Sequence, residues 1–148
     1  MIVRPENYVE RFAKVGAEMI SFHLNATENP SAVLAQIRSY GVKAGLVINP
    51  DLPVESLFPY LKDTDFILLM SVFAGFGGQK FIESTYERVR VLKAEIDRQG
   101  LSVHIQVDGG VSADNAKALV EAGAEILVAG SAVFKAEDPA AVIKAMKG

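Results

Sequence analysis

A chain of 148 residues, half of them hydrophobic and 22% charged, has the length and balance of one globular domain with its own core. The formal net charge of −3 argues against a nucleic-acid platform, and the lack of cysteine excludes a disulfide frame, a thiolate nucleophile and any zinc site built on Cys. The first residues carry no signal-peptide core and no apolar run reaches the roughly 18 residues of a membrane span, so the expectation is a cytoplasmic protein without nucleic-acid or membrane partners.

Taken in order, the chain alternates helix and strand. Apolar residues at helical spacing predict a helix over Tyr8–Ala17, and "EMISFHL" (Glu18–Leu24) reads as a strand. An Asn-Pro entry opens a helix from Asn29 that stops at Gly41. "KAGLVI" (Lys43–Ile48) is a strand, and Asn49–Leu61 a turn with a short helix. "DFILLMSV" (Asp65–Val72) is continuously apolar, as expected of a strand covered on both faces. A helix with a charged outer face runs over Glu83–Gly100, followed by the strand "VHIQV" (Val103–Val107). Ser112 and Gly123 bracket another helix, "EILVA" (Glu125–Ala129) is the last strand, and Asp138–Lys147 the last helix. Five strands, each followed by a helix, predict a parallel sheet.

The loops after the last three strands hold the unusual residues: "GFGG" (Gly75, Phe76, Gly77, Gly78), "DGG" (Asp108, Gly109, Gly110) and "GS" (Gly130, Ser131). Glycine lets backbone N–H groups converge on an anion, and in parallel α/β folds ligands bind at this end of the strands. A tight βα turn explains any one such loop. Three at the same end of successive strands point to a phosphate site beside a carboxylate, Asp108.

"FHLNATENP", "SVFAGFGGQKF" and "QVDGGVSADNAKALVEAGAEILVAGSAVF", in this order and spacing, resemble the ribulose-phosphate 3-epimerase family along essentially the whole chain. The resemblance implies a TIM (β/α)8 barrel that interconverts D-ribulose 5-phosphate and D-xylulose 5-phosphate. It implies two aspartates on opposite faces of the sugar, and a divalent zinc or iron held by those aspartates and two histidines. Asp108 matches the proton-donating aspartate and metal ligand. Gly75, Phe76, Gly77 and Gly78 match the loop over the substrate. Gly109, Gly110, Gly130 and Ser131 match the phosphate loops, and Met70 a methionine packed over the enediolate.

The resemblance begins at "MIVRPENYV", which matches the end of the family's third strand. The first aspartate and both metal histidines of the family therefore find no counterpart, which puts activity and metal binding of this chain in doubt. His23 reads as a packed strand histidine rather than a ligand. His104, Gln106 and Asp108 share one strand face, but His104 stands roughly 13 Å from Asp108 along an extended strand, too far to share a metal. Phe73-Ala74 replaces an Asn-Pro or Glu-Pro of the family, and Asn25 and Gln106 stand where it commonly has Glu. The expectation is a single domain over residues 1–148, an incomplete barrel of about five parallel strands and six helices. It would be a weakly active or inactive epimerase relative or, alternatively, a noncatalytic binder of a phosphorylated pentose. Its open edges would lead it to self-associate or to pair with a full-length homologue.

Overall fold

The computed structural model describes residues 2–75 and 78–147. Chain order and spatial order coincide in its one parallel sheet: β1 (Met19–His23), β2 (Lys43–Ile48), β3 (Phe66–Met70), β4 (His104–Asp108) and β5 (Ile126–Val128). The α-helices are α1 (Val9–Lys14), α2 (Pro30–Ser39), α3 (Thr85–Gln99), α4 (Ala113–Ala122), α5 (Ser131–Phe134) and α6 (Pro139–Lys147). Right-handed crossovers that always step the same way stack α2, α3 and α4 on one face of the sheet. A doubly wound sheet reverses direction at a switch point; this one does not.

Burial follows from that arrangement. On the helix-covered face, Leu46, Ile48, Ile67, Leu69, Ile105 and Val107 merge with Leu34 and Ile37 of α2, Leu92 of α3 and Leu119 of α4 into the main core. The opposite, concave-facing set is a separate and smaller cluster of Val47, Met70 and Val72, with Leu68 and Ala74 against it. Phe66 also lies on this face and closes its lower end. Its ring sits over Gly45, where a Cβ would come within 2.5 Å of ring atoms.

Local chemistry sets the helix ends. Asn29 Oδ1 accepts from Ala32 N at 3.1 Å to start α2, and Gly100 closes α3 at φ 66°. The short helix expected before β3 is a 3-10 segment, Val54–Asp63. Pro53 precedes it and Pro59 lies inside it, and a proline there removes an α-type donor. The four-residue α5 was not expected. No strand forms near the start of the chain among the described residues. Arg4 adopts a left-handed φ of 53°, and its N–H donates to Ala26 O at 3.0 Å. The sheet stays open, since β1 pairs only with β2 and β5 only with β4. No helix is long and apolar enough to cross a membrane among the described residues.

Candidate active site

A cavity of about 610 Å³ opens at the carboxyl ends of the strands. It is lined by Met70, Gly75, Gly78, Asp108, Gly109, Gly110, Gly130 and Ser131 together. The sequence placed these residues on three separate loops, and the sheet order brings those loops side by side. Phe76 and Gly77, expected in the same loop, lie outside the described residues.

Asp108 ends β4, in register with Met70 on β3 and Val128 on β5. Burial pushes its carboxyl above the usual aspartate value, partly offset by a hydrogen bond from the Gly109 N–H. The turn behind it is tightly held. Ser71, fully buried, places its hydroxyl 2.9 Å from Asp108 O and 2.6 Å from Gly109 O, and its N–H donates to Asp108 O at 2.8 Å. Gly109 and Gly110 have φ 120° and 63°. A Cβ on Gly109 would lie 2.5 Å from Val72 Cγ2, and one on Gly110 2.8 Å from Phe81 N. Turn packing therefore requires these two glycines. It does not require Gly130, where a Cβ would meet nothing within 4 Å. At that position the missing side chain leaves space over the cavity.

A second set of contacts holds the rim between β2 and β3. Arg88 reaches up from α3, where its Nη1 donates to Met70 O at 3.1 Å and its Nη2 to Asn49 O at 2.8 Å and Leu52 O at 3.1 Å. Burial pulls its guanidinium below the usual arginine value, and Asp51 pulls the other way. Asn49 Oδ1 accepts from Ala74 N at 3.3 Å, one residue before Gly75. The sequence reading passed over Ser71 and Arg88. A signal existed for each: Ser71 is the one polar residue between Phe66 and Val72, at the end of the apolar run, and Arg88 falls within the buried stripe of Thr85, Val89, Leu92 and Ile96.

The histidines differ from one another. His23 lines the cavity rather than packing as an inert strand residue, and burial lowers its pKa. No other described residue forms a hydrogen bond with its imidazole. His23 is thus half-buried at the cavity rather than packed in the core, because no second layer covers the concave face of the open sheet, and among the described residues it joins no metal-binding group. His104 sits at the other end of β4, 2.6 Å from Glu125 with both side chains exposed. Gln106, paired with Leu68, is half-buried on the concave face.

Among the described residues there is no group of three or more His, Cys, Asp or Glu side chains placed to hold a metal ion. Asp108 alone does not fit a zinc or iron centre, which takes about four ligands with at least three from protein.

Comparison with known proteins bears on this arrangement. The ribulose-phosphate 3 epimerase family model matches residues 1–134. The chain belongs to that family. Ribulose-phosphate 3-epimerase of Synechocystis is 47% identical over 99% of this chain and 65% of its own length. That of Bacillus subtilis is 42% identical over 100% of the chain and 69% of its length. The chloroplastic ribulose-5-phosphate-3-epimerase of Arabidopsis thaliana is 45% identical, with 53% of its length covered. The chain thus spans about two thirds, or less, of these family members.

Solved structures agree on the fold. A 3-hexulose-6-phosphate synthase superposes with a TM-score of 0.75 at 18% identity, covering 99% of this chain and 69% of that one. A tryptophan synthase α-subunit from Pyrococcus furiosus gives 0.66 at 21% identity, covering 95% and 57%. The five strands are thus part of the wall of a TIM-barrel fold, and their concave face corresponds to the barrel interior.

Proposed function

We propose that the cavity binds a pentose 5-phosphate and that Asp108 exchanges a proton at C3 of D-ribulose 5-phosphate, in the interconversion with D-xylulose 5-phosphate. The observation that carries this reading is that Asp108 and residues of all three glycine loops line one cavity at the carboxyl ends of successive strands. The glycine loops would hold the phosphate through backbone N–H groups. Burial raises the Asp108 carboxyl, which favours its proton-carrying form and suits a proton donor. Met70 and Val72 supply an apolar wall that keeps water from the developing enediolate.

The chemistry sets a clear demand. Removing the C3 proton leaves its electron pair in the C2–C3 enediolate, and inversion needs a proton delivered to the opposite face of C3. Asp108 serves one face only. No second carboxylate lines the cavity among the described residues. That observation favours a second reading, in which the chain binds the phosphosugar without turning it over. One experiment separates the two. The chain is incubated with ribulose 5-phosphate in D2O and followed by NMR. Deuterium at C3 together with xylulose 5-phosphate supports the epimerase. Ligand-induced shifts without exchange support the binder. Neither shifts nor exchange at millimolar sugar phosphate would sink both.

A further inference from the structure

We infer that Arg88 is a positioning residue for the rim segment Phe73–Gly75, acting through Asn49, and so controls how well the cavity takes a phosphosugar. The inference rests on the proposed phosphosugar site. Arg88 does not touch the cavity. Its guanidinium gathers three carbonyl oxygens from three points on the rim: Met70 at the end of β3, Asn49 just past β2, and Leu52 in the following turn. Strand-end carbonyls have lost their sheet partners and need donors, and the planar fork of arginine satisfies several at fixed angles.

Two features separate this from ordinary helix docking. First, its hydrogen-bond partners among the described residues are three carbonyl oxygens, and the Asp51 carboxylate acts on it through charge alone, without a hydrogen bond. Partial burial of a cation is costly, and an apolar side chain would pack on the stripe of α3 without that cost. What the guanidinium adds is geometry. Second, the bonds lead toward the cavity. Arg88 fixes the Asn49 backbone, the Asn49 side chain accepts from Ala74 N, and Ala74 precedes Gly75 on the cavity wall. Met70, held on the same fork, is itself a wall residue. The departure point of the loop from β3 is therefore set from α3.

The test combines site-resolved amide exchange with ligand binding in four variants of the full chain: Arg88→Met, Arg88→Lys, Asn49→Ala, and Ile96→Val as a destabilised control elsewhere on α3. The expected result is roughly tenfold faster exchange at the Ala74 amide and roughly tenfold weaker ribulose 5-phosphate binding in both Arg88→Met and Asn49→Ala. Arg88→Lys should recover part of both. Ile96→Val should lower Tm and leave both readouts unchanged. Ala74 exchange that does not respond in Asn49→Ala overturns the proposal even if Arg88→Met fails to fold. So does faster exchange with unaltered binding. If the wild-type chain binds neither ribulose 5-phosphate nor inorganic phosphate, the phosphosugar reading falls and takes the proposal with it, an outcome visible in the wild type before any variant is compared.

Discussion

Under the proposed function, Asp108 is the residue where activity and stability pull apart. Its carboxyl is raised by burial, so the folded chain holds this proton more tightly than the unfolded chain. Below the ordinary aspartate value both states are protonated and the group has no net effect. As pH rises through the raised value, the folded state must carry a half-buried charge and loses stability relative to the unfolded state. Asp108→Asn removes that charge while keeping the shape. Turnover or C3 exchange should fall by about 10²–10⁴. Chemical denaturation at pH 7 should show the variant more stable than the wild type, with the gap closing as pH falls below the ordinary aspartate range. A variant less stable at pH 7 would mean that the carboxylate is satisfied by partners beyond Gly109. His23 runs the opposite way. Its pKa is lowered by burial, so any stability tied to its neutral form is present above the ordinary histidine value and is lost as pH falls from there through the depressed value.

At the scale of elements, the glycine loops separate into those that packing demands and those that it does not. Gly110→Ala combines a left-handed φ of 63° with a Cβ 2.8 Å from Phe81 N. It should lower unfolding free energy by at least about 1–2 kcal/mol in urea titrations. Gly130→Ala meets open space, so its stability should move by no more than about 0.5 kcal/mol. Its phosphosugar affinity should drop nonetheless, because the methyl group occupies cavity volume. If Gly130→Ala binds as well as wild type, the "GS" loop does not contact the ligand. Only part of this division was legible beforehand. The strands were readable because their apolar runs are continuous or alternate, and Lys43–Ile48 has the same bounds in sequence and structure. The glycine-loop residues of the cavity were readable because they follow those strands, whereas Tyr8, Val9 and Phe12, which also line it, were not. The short helix before β3 was readable but its 3-10 character was not, since Pro59 sits inside an otherwise periodic stretch. Neither was α5, whose four residues are too few for periodicity to speak. The Arg88 and Ser71 contacts depend on which carbonyl oxygens the fold brings within reach, and no local pattern encodes that.

The whole molecule has an unsolved surface at its β1 side. β1 has a free edge, Met19 on it is 41% exposed, and on and beside α1 Phe12 is 51% and Val15 82% exposed. The β5 side is similar, with Phe134 86% exposed beyond a strand of only three residues. Free parallel edges offer unpaired N–H and C=O groups, and apolar residues beside them reward pairing. The concave face adds to this, because strands that continue a barrel wall would cover it. We therefore expect the chain to self-associate through the β1 side. Sedimentation velocity over a roughly hundredfold concentration range should show mass rising above the monomer. The double variant Phe12→Ser, Val15→Lys should shift the population back to monomer at the same concentration with little loss of Tm, since both side chains are exposed and contribute little within one chain. A wild-type chain that stays monomeric across that range would show that its edges are tolerated in water. In that case the partner to test next is a longer family member, whose binding should be weakened by the same two substitutions.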